Sequence, residues 1–133
     1  MKPRFLRLDQ LLELHAGLLE RHGGGEGVRD VGLLESALAA AQNEHAYGDG
    51  DLFAVASAYA FHLAKNHPFV DGNKRAALAA ALLFMQLHGV TCVLEGAELE
   101  RLVLDLIGGT LSKTELAERL RRGTRGKAPR LTL

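Results

Sequence analysis

Tryptophan is absent from this chain, and cysteine occurs once, at Cys92. A single thiol excludes an internal disulfide, so nothing covalent staples the fold, and such usage fits a reducing cytoplasm. Aromatic residues make up only 5% of the chain, while alanine and the aliphatics dominate, which suits helices better than aromatic-rich sheets. Long apolar runs are missing too. The longest, Ala76 to Met85, is about half of what spans a bilayer. Polar residues interrupt the first positions every few residues, so no signal-peptide pattern is expected. Net charge is also missing, with 16 basic against 16 acidic side chains.

That balance hides an asymmetry. Arg119, Arg121, Arg122, Arg125, Lys127 and Arg130 follow one another with no acid between them, which leaves ten basic against sixteen acidic residues in 1–118. The body is acidic and the end basic. Charge runs of this kind are commonly solvated tails, and a frayed, dispensable end is expected after Gly123. A partner-binding or nucleic-acid arm is the alternative; the segment has no aromatics to stack on bases, which weakens the nucleic-acid option, and no direct nucleic-acid contact is expected. At 133 residues the chain fits one domain with a sizeable core, here residues 1–122 followed by the basic tail 123–133.

Helical periodicity recurs along the chain. Leu8, Leu11, Leu12, His15, Leu18 and Leu19 mark an amphipathic first helix stopped by Gly23-Gly24-Gly25. His15 and His22 read as packing or capping residues. The glycines are not a Walker loop, because no Lys-Ser/Thr follows and no strand precedes. Asp30 is placed to cap a second helix reaching about Ala41, and 42–51 reads as an exposed polar loop. Asp49 or Asp51 opens a third helix to about Asn66, with Leu52, Val55, Ala56, Tyr59 and Leu63 inward. A fourth runs from Asn73 to about His88 and, being apolar all round, is expected to be buried at the core. Val90 to Leu94 is β-prone and short. A fifth helix carries Leu99, Leu102, Val103, Leu106 and Ile107, and Ser112-Lys113-Thr114-Glu115 is a capping box opening a sixth. The expected architecture is an all-α single-domain bundle of about six helices around a buried central helix.

Between the third and fourth helices lies His67-Pro68-Phe69-Val70-Asp71-Gly72-Asn73-Lys74-Arg75, a polar cluster opening an apolar helix. Pro68 disfavours helical geometry at His67 and cannot continue the preceding helix. The next helix begins with N–H groups that lack intrahelical partners, plus the positive end of the dipole, a ready anion site. Lys74 and Arg75 add cations, one a point charge and one a planar fork. Gly72 permits a tight turn or close approach of a ligand. Asp71 could cap the helix or hold Mg²⁺, which takes one or two protein carboxylates beside substrate phosphates. His67 is of the side-chain type whose unperturbed pKa lies near neutrality, suited to general-base work. A zinc site of His62, His67 and Asp71 is disfavoured, because Pro68 breaks the helical spacing between them.

This nine-residue stretch resembles the signature loop of the Fic/Doc family, specifically its Doc (death-on-curing) branch. The adenylylating branch usually carries Gly after the Asn and a second Arg three residues beyond the first. Here those positions hold Lys74 and Leu78. Gly27 to Leu38 is similar to the Doc N-terminal segment, so the resemblance covers roughly residues 5 to 108. It implies a toxin of a Phd/Doc-type toxin–antitoxin system, a protein kinase that transfers the ATP γ-phosphoryl group to a translation factor, with elongation factor Tu foremost, and arrests translation. Position by position, it implies His67 as base, Asp71 as the Mg²⁺ ligand, and Gly72 and Asn73 with the Asn73 side chain as the phosphate cradle. Lys74 and Arg75 would neutralise the transferred group. A Phd-type antitoxin would lay a helix in a groove beside the site, and a flap docking the target's backbone would fall at 42–51, with His45 and Tyr47 as contacts. Protein adenylylation is the alternative activity, and a non-catalytic helical binding module a further one. Thr91 to Gly96 matches the Ser/Thr-x-x-x-Glu-Gly pattern of inhibitory helices in self-regulated relatives, but it falls in an extended stretch and is read as coincidence.

Overall fold

A computed structural model describes residues 1–47 and 50–132. Among the described residues six helices follow in order: α1 Leu8–His22, α2 Val31–Tyr47, α3 Leu52–Asn66, α4 Asn73–Leu87, α5 Gly96–Gly108 and α6 Lys113–Arg122. The protein is all-α apart from one small antiparallel ribbon, in which β1 (Thr91–Cys92) pairs with β2 (Thr124–Arg125). No helix among the described residues is long and apolar enough to cross a membrane.

The capping residues act as their chemistry dictates. The Asp30 carboxylate accepts from the Leu33 N–H at 3.0 Å, and that of Asp51 from the Ala54 N–H at 2.9 Å. Ser112 and Glu115 bond each other's backbone N–H at 3.0 Å, the reciprocal box that opens α6. The helix from Asp51 buries Leu52, Val55, Ala56, Tyr59 and Leu63 as the periodicity requires. Tyr59 is fully enclosed, and its hydroxyl accepts from the Leu6 N–H at 2.9 Å, tying the N-terminal segment to the core; burial pushes the phenol up to about 12.

α4 stands at the centre as expected, but it shares that place with α3, which packs on α2, α4, α5 and α6. Nor is α4 enclosed all round. Ala76, Ala77, Ala80, Ala81, Phe84 and Met85 are buried, whereas Leu78, Ala79, Leu82 and Leu83 are only half-buried. The first two of these with Leu82 face a cavity.

Two expectations need correction. The segment after Ala41 is not a loop, because α2 continues through Tyr47. Nothing helix-breaking stands before Gly48, so the polar residues Gln42 to His45 simply form the solvated end of a helix. Gly48 and Asp49, also part of the expected loop, lie outside the described residues. The basic end is not frayed either. The Val93 N–H donates to the Gly123 carbonyl at 2.7 Å, β2 pairs with β1, and Ala128 and Leu131 pack against the core. The Thr132 N–H reaches the Met1 carbonyl at 2.8 Å. Its charge is partly answered within the body, since Arg121 pairs with Asp51 and Glu118, and Arg122 with Glu118.

Candidate active site

α3 ends where Pro68 demands. His67 takes the left-handed conformation (φ 53°, ψ 53°), alone among the described non-glycine residues in having positive φ. Its N–H closes the helix on the Leu63 carbonyl at 3.2 Å, and its side chain stands exposed on the cavity wall. The chain then dives inward. Phe69 is completely buried, and the Asn73 amide grips it from both sides: Asn73 Oδ1 accepts the Phe69 N–H at 2.9 Å, and Asn73 Nδ2 donates to the Phe69 carbonyl at 3.0 Å. This fixes a closed turn ending on α4. The amide expected to cradle phosphate is therefore turned into the loop, although Asn73 still forms part of the cavity wall.

His15 completes the support. Its ring is buried, stacks on Phe69 at a centroid distance of 3.8 Å and an angle of 7°, and its Nε2 lies 2.8 Å from the Asp71 carbonyl. The carbonyl can only accept, so Nε2 carries the hydrogen. Packing was the expected role, and the packing partner turns out to be the signature loop itself. His22, expected to pack or cap, stands exposed on the cavity wall instead.

Asp71 does not cap α4. Gly72 is the N-cap residue, at φ 76°, a conformation open to glycine and strained for other residues. The Asp71 carboxylate folds back to accept the Gly72 N–H at 2.8 Å and the Gly25 N–H at 3.2 Å. Those two donors, with Arg75 and His15 adding smaller effects, hold the carboxyl below its ordinary pKa, so it is anionic at neutrality. A carboxylate offers about four lone-pair sites, and two remain for a metal ion. One such ligand is compatible with Mg²⁺ bound mainly through phosphates and water. Among the described residues there is no cluster of three or more His, Cys, Asp or Glu side chains. His62 lies apart, with Nε2 3.4 Å from Lys113 Nζ on the α6 side.

With Gly72 N–H taken by Asp71, the open helix-end donors begin one step along. Among the described residues no acceptor is found for the N–H groups of Asn73, Lys74 and Arg75, while Ala76 already bonds the Gly72 carbonyl at 2.9 Å. Lys74 and Arg75 are exposed, and among the described residues neither has an acidic partner within salt-bridge distance. Three free donors, two unpaired cations and an exposed histidine thus share the lining of a cavity of about 790 Å³. Leu18, Leu78, Leu82, Val103, Leu104 and Ile107 give the cavity apolar walls, and Glu100 lines it too. The contribution of α5 to these walls carried no signal in the sequence.

The segment lying along the signature loop is 23–30, not 42–51. The Arg29 and Asp30 N–H groups both donate to the Pro68 carbonyl, at 2.7 and 3.0 Å, and the Val70 N–H to the Gly27 carbonyl at 3.1 Å. Val28 and Phe69 form an antiparallel bridge. Gly24 passes so close that a Cβ there would stand 2.9 Å from Asp71 Oδ2. The available signal was a glycine run followed by a β-branched residue, which permits close backbone approach as well as stopping a helix. His45 instead sits against the tail, with Nε2 3.0 Å from the Thr132 carbonyl, and Tyr47 is exposed; neither lines the cavity.

Residues 5–85 match the Fic/DOC family. The chain is 37% identical over 120 residues to the protein named Protein kinase doc of Escherichia phage P1, an alignment covering 90% of this chain and 94% of that one. It is 46% identical over 86 residues to Toxin Doc of Mycolicibacterium smegmatis, covering 62% of this chain and 65% of the relative. A buried phenylalanine loop opening a helix with free N–H groups and two cations, together with these matches over most of the chain, establishes its kinship: the chain belongs to the Fic/DOC family, on its Doc branch.

Proposed function

We propose that this protein is the toxin of a Phd/Doc-type pair, acting in the bacterial cytoplasm as a protein kinase. It would transfer the γ-phosphoryl group of ATP to a serine or threonine hydroxyl of a translation factor, with elongation factor Tu the leading candidate, and so arrest translation. The observation that carries the proposal is the meeting of His67 with the free N–H groups of Asn73, Lys74 and Arg75 in the lining of one cavity, in a chain similar to a relative named as a kinase.

His67 takes the proton of the acceptor hydroxyl as its oxygen bonds the γ-phosphorus, and the bond from that phosphorus to the bridging oxygen breaks to release ADP. The α4 N-terminus holds the phosphoryl oxygens, and Lys74 and Arg75 offset the charge that spreads over them, since this chemistry depends on positioning and electrostatics. Asn73 acts by shaping the turn through Phe69 and by its N–H. Magnesium, bound with the nucleotide and held by Asp71, would supply further charge neutralisation. The apolar wall of the cavity, on α4 and α5, is our candidate seat for the antitoxin helix.

Adenylylation is the second reading, and two observations weigh against it. On the family resemblance, Lys74 would put bulk and charge where a nucleotide in that orientation lies, and Leu78, on the cavity wall, would supply no cation for its far phosphate. Incubation of the protein with elongation factor Tu and ATP labelled at the γ- or α-phosphate separates the readings. We expect label from the γ-position alone. Label from the α-position would establish adenylylation instead, and label from neither, on this factor or any lysate protein, would leave a binding module. His67→Ala should remain folded and lose about 10²–10⁴ in rate. Full activity in that variant would remove His67 from the reaction.

A further inference from the structure

We infer that Arg29 is a positioning residue for His67, its guanidinium holding the end of α3 in the one conformation that presents the imidazole to the cavity. The inference rests on the proposed role of His67 as base.

His67 occupies left-handed space that is disfavoured for a residue bearing a Cβ, and such conformations persist only where the surroundings over-determine them. The surroundings here are largely one residue. Arg29 Nε donates to the His67 carbonyl at 2.8 Å, and Arg29 Nη2 to the Asn66 carbonyl at 2.9 Å. These are two successive carbonyls at the end of α3, which have no helical donors of their own, and the negative end of the helix dipole favours a cation there. The planar fork meets both at once, a geometry that an ammonium cannot reproduce. The backbone N–H of the same residue donates to the next carbonyl along, that of Pro68, at 2.7 Å. Arg29 thus bonds three consecutive carbonyls, Asn66 to Pro68, the last of them shared with the Asp30 N–H.

Arg29 does not line the cavity. The phosphate-holding part of the loop has separate supports: His15 on the Asp71 carbonyl, Gly25 on the Asp71 carboxylate and Asn73 on Phe69. Loss of the fork should therefore release the histidine without disturbing the anion site. The kinetic signature of that separation is a lowered kcat at an unchanged KM for ATP.

The test uses the full chain with Arg29→Ala and Arg29→Lys, and His67→Ala as reference. Phosphorylation of elongation factor Tu supplies kcat and KM for ATP, amide hydrogen exchange reports the His67 and Val70 N–H groups, and thermal melts report folding. In Arg29→Ala we expect kcat to fall about tenfold to a hundredfold. KM for ATP should hold within about twofold, His67 N–H exchange should accelerate, and added ethylguanidinium should restore part of the rate, with Arg29→Lys intermediate. Unchanged kcat in Arg29→Ala while His67→Ala is inactive overturns the inference, as does a rate loss matched by loss of folded protein or by an equal rise in KM. If His67→Ala remains active, or no phosphorylation is seen, the base assignment has failed separately. Hydrogen exchange then decides on the clamp: unaltered exchange at His67 in Arg29→Ala overturns it.

Discussion

Asn73→Ala distinguishes a side chain that binds phosphate from one that shapes the loop. In the structure the amide is buried and both its functional atoms face Phe69, at 2.9 and 3.0 Å. Truncation leaves the Phe69 N–H and carbonyl without partners in a region closed by His15. Each unsatisfied buried group costs about 1–3 kcal/mol. Improved helix propensity at the first position of α4 returns a few tenths of a kcal/mol. A net loss of about 2–5 kcal/mol is expected, and a domain of this size shifts by roughly 3–5 °C per kcal/mol, giving a fall in Tm of about 10–15 °C. Asn73→Asp should also destabilise, because it retains the acceptor for the Phe69 N–H but sets a carboxylate oxygen against the Phe69 carbonyl. The assays are melts followed by circular dichroism, and calorimetric titration with a non-hydrolysable ATP analogue. An unchanged Tm in Asn73→Ala with weakened nucleotide binding would refute the argument and return the amide to the phosphates.

Two further outcomes follow from the packing. A chain ending at Gly123 should melt more than about 5 °C below the full protein, because it loses β2 and the burial of Ala128 and Leu131; an unchanged Tm would mean that the tail is the dispensable end its composition suggests. Stability should fall with acidity in part through His62, whose pKa is lowered by burial and then by Lys113, against a smaller opposing effect of Glu44. The unfolded chain takes up that proton first as pH drops below about 6.5, so the contribution is intact above this value and drains below it. His62→Gln should therefore show a shallower loss of Tm between about pH 6.5 and 5, and parallel profiles for the two proteins would exclude this cause.

Local chemistry was legible without coordinates. Caps depend on a side chain and the backbone three residues on: Asp30 and Ser112 cap as expected, Asp51 is the one of the two candidates Asp49 and Asp51 seen to cap, and Asp71 does not cap α4. The break at Pro68 formed as expected, being a steric matter between neighbours. The character of the site, cations beside a helix N-terminus, was equally a matter of adjacent residues. What failed were statements about which segments meet. Composition makes 42–51 an exposed loop and the resemblance alone puts it over the site, yet its helical part packs towards the tail, while 23–30 lies along the loop. Glycines there read as a helix stop, and that reading is correct but incomplete, since the same lack of a side chain permits contact with Asp71.

The sequence by itself determined the six helices, most of their ends and the nine-residue stretch that opens α4, because periodicity, capping and proline sterics act over a few neighbouring positions. Only the tertiary structure decided that the Asn73 amide faces Phe69, that Asp71 leans on Gly25, that Arg29 grips the end of α3 and that the tail closes on β1. Each of these joins partners through the fold's own packing, and buried or terminal polar groups accept whichever donor the packing delivers. Hydrogen-bonding capacity is written in residue types, but the choice of partner is made by which backbones the core brings together.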